Sequence, residues 1–482
     1  MGAINGKEYI SRLNQLNNEI WYDGEKIEGP ISKHPAFKGI IQSKAALYDM
    51  QHDPKITNEM TFQSPVSGEP IGLSYLQPKT KEDLTRRRKM IEHWARYSGG
   101  VMGRSPDYLN TVLTSFASSK EFLKNKNRCF PNHLQAFYEM VRENDLSLTH
   151  TFISPQVNRS PTYIENSEEP IAAKVVDRNE EGIIIKGARL LATQGGLTDE
   201  VLVFSVGKFL FNEDEAFAFS IPSNTKGIKF ICRGTFIGDE SSFNHPLSSR
   251  FEEMDSIIVF DNVLVPWERV FYYNNAEVAE QFPLESSFHH FAKHQVVSRQ
   301  IVKTEFVLGI AELLIETINI SGYQHIQEKM SEIIIGLETM RALLEKAENN
   351  AKVDQWGYMR PDIFPLQVAG NIFPIIYPRF IEIIQLIGAS GMITLPTEKA
   401  FYSPIRIDLD KYLKGATKNA EERVKIFRLA WDLTMSSFGT RQTQYERYFF
   451  GDPIRSASEL YKRYPKDESV KMVGSFLNIG KA

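Results

Sequence analysis

Between residues 323 and 351 apolar side chains return every third or fourth position: Ile326, Met330, Ile333, Ile334, Leu337, Met340, Leu344 and Ala347. Glu328, Glu332, Glu338, Glu345 and Glu348 fill the positions around them. That period predicts a long amphipathic helix. Comparable stretches cover 286–320, 364–388 and 420–450, and four long helices with short connections make a bundle. Upstream the period is different. Ile171–Val176, Gly182–Ala192, Glu200–Ser205, Ala216–Ile221, Ile228–Gly234 and Ser256–Val265 are β-rich runs separated by Asn, Asp and Gly turns. About six short strands in that space predict a compact barrel or sandwich. Before them the helical period holds again, over residues 7–22, over Ile40–Met50, and from Leu84 to Tyr97 after an acidic capping box at Thr80 and Asp83. The run Arg86-Arg87-Arg88-Lys89 spreads round that last helix as a solvated, salt-bridged face.

The chain thus reads as an α+β multidomain protein. It has an N-terminal helical domain (1–145), a central β-barrel or sandwich (146–274) and a C-terminal four-helix bundle (275–482). Its 482 residues are too many for one simple core. A formal net charge of -4 gives no electrostatic reason to expect nucleic acid or an anionic membrane as partner. Cys129 and Cys232 stand apart, which argues for a reducing compartment and against a thiolate metal cage. Met1 to Gly6 lacks an apolar signal core. The best apolar run, from Ile372, is cut by Pro378, Arg379 and Glu382, so no membrane span is expected. A cytoplasmic protein is the simplest reading.

No GxGxxG follows a strand, and there is no P-loop or GxSxG elbow. His290 and His294 lie four apart, but Phe291 stands where a zincin needs Glu, and no metal is expected. The stretch from Leu148 to Ser160, LTHTFISPQVNRS, gathers an imidazole, hydroxyls, amides and a guanidinium where helical pattern gives way to strands, a natural place for a site. A hydrated interdomain loop is the plain alternative. In Ser98 to Leu109, SGGVMGRSPDYL, three glycines let the backbone approach a flat ligand or another helix closely. Arg104 and Tyr108, four apart, could converge on an oxyanion or phenolic oxygen. The same spacing also fits an interdomain salt bridge with Tyr108 in the core. Arg441 and its neighbours could meet phosphates or a partner subunit. Gly451-Asp452-Pro453 equally fits a helix cap and stop.

Taken together and in order, these motifs resemble the large oxygenase component family of 4-hydroxyphenylacetate 3-monooxygenase. The resemblance runs from His34-Pro35-Ala36-Phe37 and Leu47–Pro54 through SGGVMGRSPDYLN, THTFISPQVNRS, GARLLAT and Val259–Phe271 to YERYFFGDP. It implies an acyl-CoA-dehydrogenase-like fold, usually a homotetramer. It also implies a two-component monooxygenase that hydroxylates a phenol ortho to its hydroxyl. Reduced FAD (FADH2) would arrive as a diffusible co-substrate from a separate NAD(P)H-flavin reductase, which accounts for the missing Rossmann turn, and O2 would convert it to a C4a-hydroperoxide. By the same resemblance, Arg104, Tyr108 and His150 bind the phenol and carry the catalysis. His150, Thr151, Phe152, Gln156, Val157, Asn158, Arg159 and Thr193 contact flavin. Gly439, Thr440, Arg441 and Gln442 add a further flavin contact from a neighbouring subunit. The substrate-carboxylate loop falls on Ser205 and Val206, and the lack of a hydroxyl on Val206 implies tolerance of more apolar phenols. Chlorophenol or nitrophenol monooxygenases of the same family, and a non-catalytic flavin-binding scaffold, share these features. The superfamily's 4-hydroxybutyryl-CoA dehydratase holds an iron–sulfur cluster through three cysteines and a histidine. Arg104, Tyr108 and Val297 occupy the cysteine spacing here, so that ligand set is missing.

Overall fold

The computed structural model describes residues 2–158, 169–205 and 212–479. Its first part carries α1 (Gly6–Leu16), β1 (Ile20–Tyr22), β2 (Glu25–Lys26), α2 (Pro35–Met50), α3 (Thr57–Met60), β3 (Thr61–Gln63) and β4 (Pro70–Gly72). Three longer helices follow, α4 (Lys81–Tyr97), α5 (Pro106–Ser118) and α6 (Pro131–Asn144). The strands are β5 (Leu148–Thr151), β6 (Lys174–Arg178), β7 (Gly182–Thr193), β8 (Glu200–Phe204), β9 (Phe217–Pro222) and β10 (Ile228–Cys232). The short α7 (Ser248–Phe251) precedes β11 (Asp255–Pro266) and β12 (Val270–Tyr273). Then come α8 (Ala276–Glu285), α9 (Phe288–Ile318), α10 (Gln324–Asn349), the hairpin β13 (Lys352–Val353) and β14 (Met359–Arg360), and α11 (Ile363–Gly388). The chain closes with α12 (Arg406–Tyr412), α13 (Ala420–Thr434), α14 (Ser437–Tyr448), α15 (Pro453–Arg463) and α16 (Asp467–Leu477).

The expected order of helices, strands and helical bundle is present, and its details teach where local pattern was overruled. The helix expected over 7–22 stops at Leu16, because Asn17 takes a left-handed conformation (φ 53°). Ile20 and Trp21 then pair in parallel with Phe230 and Ile231, so the N-terminal segment joins the central sheet. The capping box at Thr80 and Asp83 forms as the sequence predicts. The basic run behind it does not all face solvent. Arg87 is fully buried and donates to the carbonyls of Ser74 and Leu76 and to Thr111 Oγ1.

The β part is two sheets rather than a closed barrel. Six strands run β2-β1-β10-β11-β7-β6 and four run β12-β9-β8-β5. Phe219 of β9 meets Phe260 of β11 edge-on at 6.3 Å, one of the contacts that pack the sheets face to face. Strand β5 lies at the end of the smaller sheet, in parallel register with β8, His150 opposite Leu202. Side chains alternate along it. Thr149 and Thr151 therefore point one way and donate to the carbonyls of Thr193 and Leu190 on β7, while His150 points the other way, toward α5.

In the bundle, α9 packs against α4, α5, α10, α11 and α13, which is why polar as well as apolar positions on it are buried. The helical stretch expected over 420–450 is two helices, broken at Met435, with Ser436 capping α14. Pro453 begins α15 rather than simply ending a helix, with Asp452 as its cap. The segment 363–392 is long and apolar enough to cross a membrane by length and composition, contrary to the sequence expectation. Within the chain its helix, α11, packs against α9, α10, α13, α14 and α15.

Candidate functional site

The glycines of Ser98–Gly103 do bring backbone close to something, and it is helices. A Cβ on Gly99 would meet the Phe306 ring at 2.7 Å, one on Gly100 would meet Lys303 of α9 at 2.8 Å, and one on Gly103 would lie 2.2 Å from Tyr445 Oη of α14. Gly99 and Gly100 also have positive φ, which L side chains adopt at a cost. This close turn delivers Arg104 to the start of α5. Arg104 precedes the helix, whose first residue is Pro106, so the i, i+4 argument for its aim does not apply. Its guanidinium nonetheless folds back over the Tyr108 ring, 4.3 Å from the centroid.

Arg104, Tyr108 and His150 converge. The Tyr108 and His150 rings lie 5.8 Å apart, and Phe152 and Phe204 stack about the imidazole at 5.3 and 5.8 Å. Two residues that the spacing did not single out complete the setting. Tyr445 Oη accepts a hydrogen bond from Arg104 Nη1 at 2.6 Å, and the Phe449 ring lies 4.5 Å from the guanidinium and 5.5 Å from Tyr108. Tyr445 and Phe449 are four apart, aromatic, and inside a quoted motif, a signal that could have marked them. Glu253 and Gln194 gave no such signal. The buried Glu253 carboxylate accepts from the backbone N–H groups of Gly103 and Arg104 at 2.9 and 2.7 Å and from Gln194 Nε2 at 2.8 Å. Gln194 Nε2 also donates to the Arg104 carbonyl, and Gln194 itself holds a left-handed backbone (φ 61°). Both ends of the Arg104 peptide are thereby fixed.

The electrostatics are those of a dry, positive pocket. Burial lowers the His150 pKa well below its ordinary value, and the Arg104 charge adds to the effect, so the imidazole is neutral at physiological pH. Burial raises the Tyr108 pKa and keeps its phenol protonated. His150 Nδ1 and Arg104 Nε are buried without a hydrogen-bond partner among the described residues. Orphaned buried polar atoms ask for a ligand.

A second cluster gathers other expected residues. Asp255 accepts from Thr193 Oγ1 at 2.8 Å and from Arg441 at 2.8 and 3.0 Å, with Arg233 beside it at 3.1 Å. Burial would raise the Asp255 pKa, but Arg441 and Arg233 hold it below the usual carboxylate range. Arg441 is also 3.8 Å from Glu253, which links this cluster to the Arg104 turn. Gln442 is spent inside the chain: it donates to the Val101 carbonyl and accepts from Lys303 Nζ, with no exposed surface. Gly439 is packed against the Leu433 carbonyl, and the exposed Thr440 donates to Ser436 O. Gln156, Val157 and Asn158 are exposed beyond β5. Ser205 is buried and donates to the Glu215 carbonyl at 2.7 Å. Arg159 and Val206 lie outside the described residues. His290 and His294 diverge, the first toward the Pro361 carbonyl and the second toward Glu348.

Comparison with known proteins bears on this geometry. Residues 5–272 match the family described as 4-hydroxyphenylacetate 3-hydroxylase N terminal, and residues 279–478 its C-terminal counterpart. A probable 4-hydroxyphenylacetate 3-monooxygenase of Bacillus subtilis (strain 168) is 67% identical over 478 residues, 99% of each chain. A solved oxygenase component of 4-hydroxyphenylacetate 3-monooxygenase, complexed with FAD and 4-hydroxyphenylacetate, superposes with a TM-score of 0.94 at 44% identity, covering 99% of this chain and 98% of that one. An archaeal 4-hydroxybutyryl-CoA dehydratase from N. maritimus has the same fold (TM-score 0.89, 19% identity, 100% of this chain and 96% of that one).

Proposed function

The chain belongs to the 4-hydroxyphenylacetate 3-hydroxylase family, and on that premise we propose that it is the oxygenase of a two-component, reduced-flavin-dependent monooxygenase. Its substrate is a phenol of the 4-hydroxyphenylacetate kind, hydroxylated ortho to the existing hydroxyl. The observation that carries this reading is the convergence of Arg104, Tyr108 and His150 on one buried space with two orphaned nitrogens.

FAD, when bound in its reduced form, supplies with O2 the oxidising chemistry that no side chain can supply. The protein's share is binding, orientation and proton control. The neutral His150 is an acceptor for the phenolic proton, and its depressed pKa makes it a poor acid at neutral pH. The fixed charge of Arg104 stabilises the phenolate that results, and the Tyr108 hydroxyl, kept protonated by burial, donates to the same oxygen. Phe152, Phe204 and Phe449 exclude water around them. Thr193 and Arg441, held together by Asp255, are the best-placed of the expected flavin contacts. His150, Thr151, Phe152 and the exposed Gln156–Asn158 stretch are the other candidates. Gln442 is the weakest, because both ends of its amide are already engaged.

A separate flavin reductase is the implied partner, and a homotetramer the implied assembly. The exposed apolar faces of α15 and α16, among them Ile454, Tyr461, Val470 and Phe476, suit association between copies. The deciding experiment is anaerobic titration with reduced and oxidised FAD, followed by O2 and a panel of phenols. Tighter binding of the reduced form and catechol formation are expected. Tight oxidised flavin with intrinsic NADH oxidation and no catechol would contradict the proposal.

A further inference from the structure

Lys293, in the second turn of α9, is an ammonium without a counter-charge. It is 8% exposed. Among the described residues its Nζ makes no hydrogen bond and no ion pair; its one polar contact is with the face of Phe450, 3.7 Å from the centroid. The backbone of Gly370 on α11 closes in from the other side, where a Cβ would meet Phe450 at 3.2 Å and Lys293 Nζ at 3.3 Å. Burial draws the Lys293 pKa down to about 8, so it remains largely charged at neutral pH. One turn earlier stands His289. Burial, followed by the charges of Lys293, His290, Arg463 and Arg455, lowers its pKa to about 3 and leaves it a neutral hydrogen-bonding group. The surroundings are cationic throughout, at the positive end of a 31-residue helix. Burying an unanswered ammonium is costly, and the face of one phenyl ring offsets only part of that cost. The missing component is an anion.

The place of Lys293 says which anion. Phe450 belongs to the same apolar cluster as Tyr108, Phe204, Phe449 and the neighbouring α9 residues Ala292 and Val296. Arg104 lies 4.5 Å from Phe449, the Phe449 and Phe450 rings are 5.1 Å apart, and Lys293 lies 3.7 Å from Phe450. Two cations thus cap the two ends of one aromatic pair, Arg104 at the end where the phenol is expected and Lys293 at the other. A phenol carrying an acidic tail matches both ends.

We propose that Lys293, with His289 beside it, forms a carboxylate-binding subsite that makes the pocket selective for phenols bearing an anionic side chain. The inference rests on the phenol-hydroxylase reading above and deepens it. It also assigns acid recognition to α9, whereas the sequence resemblance places it on the Ser205–Val206 loop.

The test compares 4-hydroxyphenylacetate with 4-hydroxyphenylacetamide, which has nearly the same shape and no charge, on wild type, Lys293→Met and Lys293→Arg. Turnover is measured with reduced FAD and O2, and binding by calorimetry in the presence of FAD. Wild type should prefer the acid. Lys293→Met should raise KM and Kd for the acid roughly ten- to a hundredfold, the scale of one lost charge-assisted hydrogen bond. The amide constants and kcat should stay unchanged. Lys293→Arg should retain most of the preference. The melting temperature of Lys293→Met should hold or rise, since an unpaired buried charge is removed. An acid-to-amide ratio unchanged by Lys293→Met, or an equal loss for both ligands, overturns the subsite. So does an unchanged ratio with altered sedimentation, which would mean that the ammonium answers a carboxylate of a second copy. If wild type hydroxylates neither phenol but the acid's binding advantage still disappears in Lys293→Met, the hydroxylase reading fails and the subsite stands.

Discussion

Arg104 and Arg299 approach the same two rings and have opposite fates. Their guanidinium carbons lie 5.5 and 6.0 Å from Tyr445 and 4.5 and 5.9 Å from Phe449. Arg299, on α9, is fully buried and forms a two-pronged pair with Glu446 at 2.7 and 3.1 Å, with Lys303 joining at 2.8 Å. Burial would raise the Glu446 pKa, but the two cations bring it down to about 2. Arg104 has no carboxylate on its side chain. The nearest one, Glu253, is occupied by backbone N–H groups, which leaves the guanidinium to a neutral phenol and aromatic faces. One charge is spent on holding helices together, and the other is held in place and left unspent. Buried ion pairs stabilise mainly in the sense that removing one partner is destructive, whereas a site needs charge that the fold has not neutralised.

The sharpest way to break this contrast is Glu446→Gln, which strands Arg299 and Lys303 without a carboxylate. A loss of about 3–5 kcal/mol in unfolding free energy is expected, read from the denaturant midpoint. Arg104→Ala should do the reverse: stability within about 1 kcal/mol of wild type, phenol affinity down roughly ten- to a hundredfold, and hydrogen peroxide in place of product as flavin oxidation continues. Arg104→Lys should recover only part, having charge without the planar fork. If Arg104→Ala melts as early as Glu446→Gln, the two arginines are both structural and the contrast is false.

A finer cut comes from Gln194→Gly. Glycine keeps the left-handed backbone without strain while deleting the side chain that grips the Arg104 carbonyl and Glu253. Losing neutral hydrogen bonds worth about 1 kcal/mol should cut product per flavin roughly fivefold. The melting temperature should barely move, and an unchanged coupling ratio would show that Arg104 is positioned without Gln194.

The smallest effect is on pH dependence. The folded-state pKa of His150 is lowered, so the unfolded chain binds the extra proton first. Its contribution to stability is complete above about pH 6.5 and declines as pH falls below that. His289 and His290, lowered by burial to about 3 and about 4, act in the same direction. His150→Gln should therefore make the acid limb of the stability curve shallower by at most one proton, about 1.4 kcal/mol per pH unit. A limb as steep as wild type would show that the imidazole is not held neutral.

Much of this was legible in the sequence because it rests on local pattern. The strand runs from Gly182 to Thr193 and from Asp255 to Pro266, the capped α4 and the three helices α9 to α11 all follow from periodicity and caps. Arg104, Tyr108 and His150 were marked by motif, and the fold brings them together. What holds them was not legible. Glu253 sits in an unremarkable acidic stretch and acts on a turn 149 residues away, while Tyr445 reaches Arg104 across 341. Periodicity carries no information about such pairings. Nor could it show that Arg87, in a run of four basic residues, would be the one turned inward.

Helix α5 has a consequence of another kind. All thirteen of its residues, from Pro106 to Ser118, are buried. A helix with one wet face can absorb neutral substitutions there and drift, but α5 has nowhere to drift. In a saturating mutational scan it should appear as an unbroken intolerant block around Tyr108. A lineage adapting this enzyme to a new aromatic compound would therefore keep the phenol-facing wall as inherited. It would change instead what lies opposite, on the half-exposed Phe449 and Phe450 and the strand end beyond Phe152. Divergence among such enzymes should be concentrated there, with α5 the slowest-evolving helix.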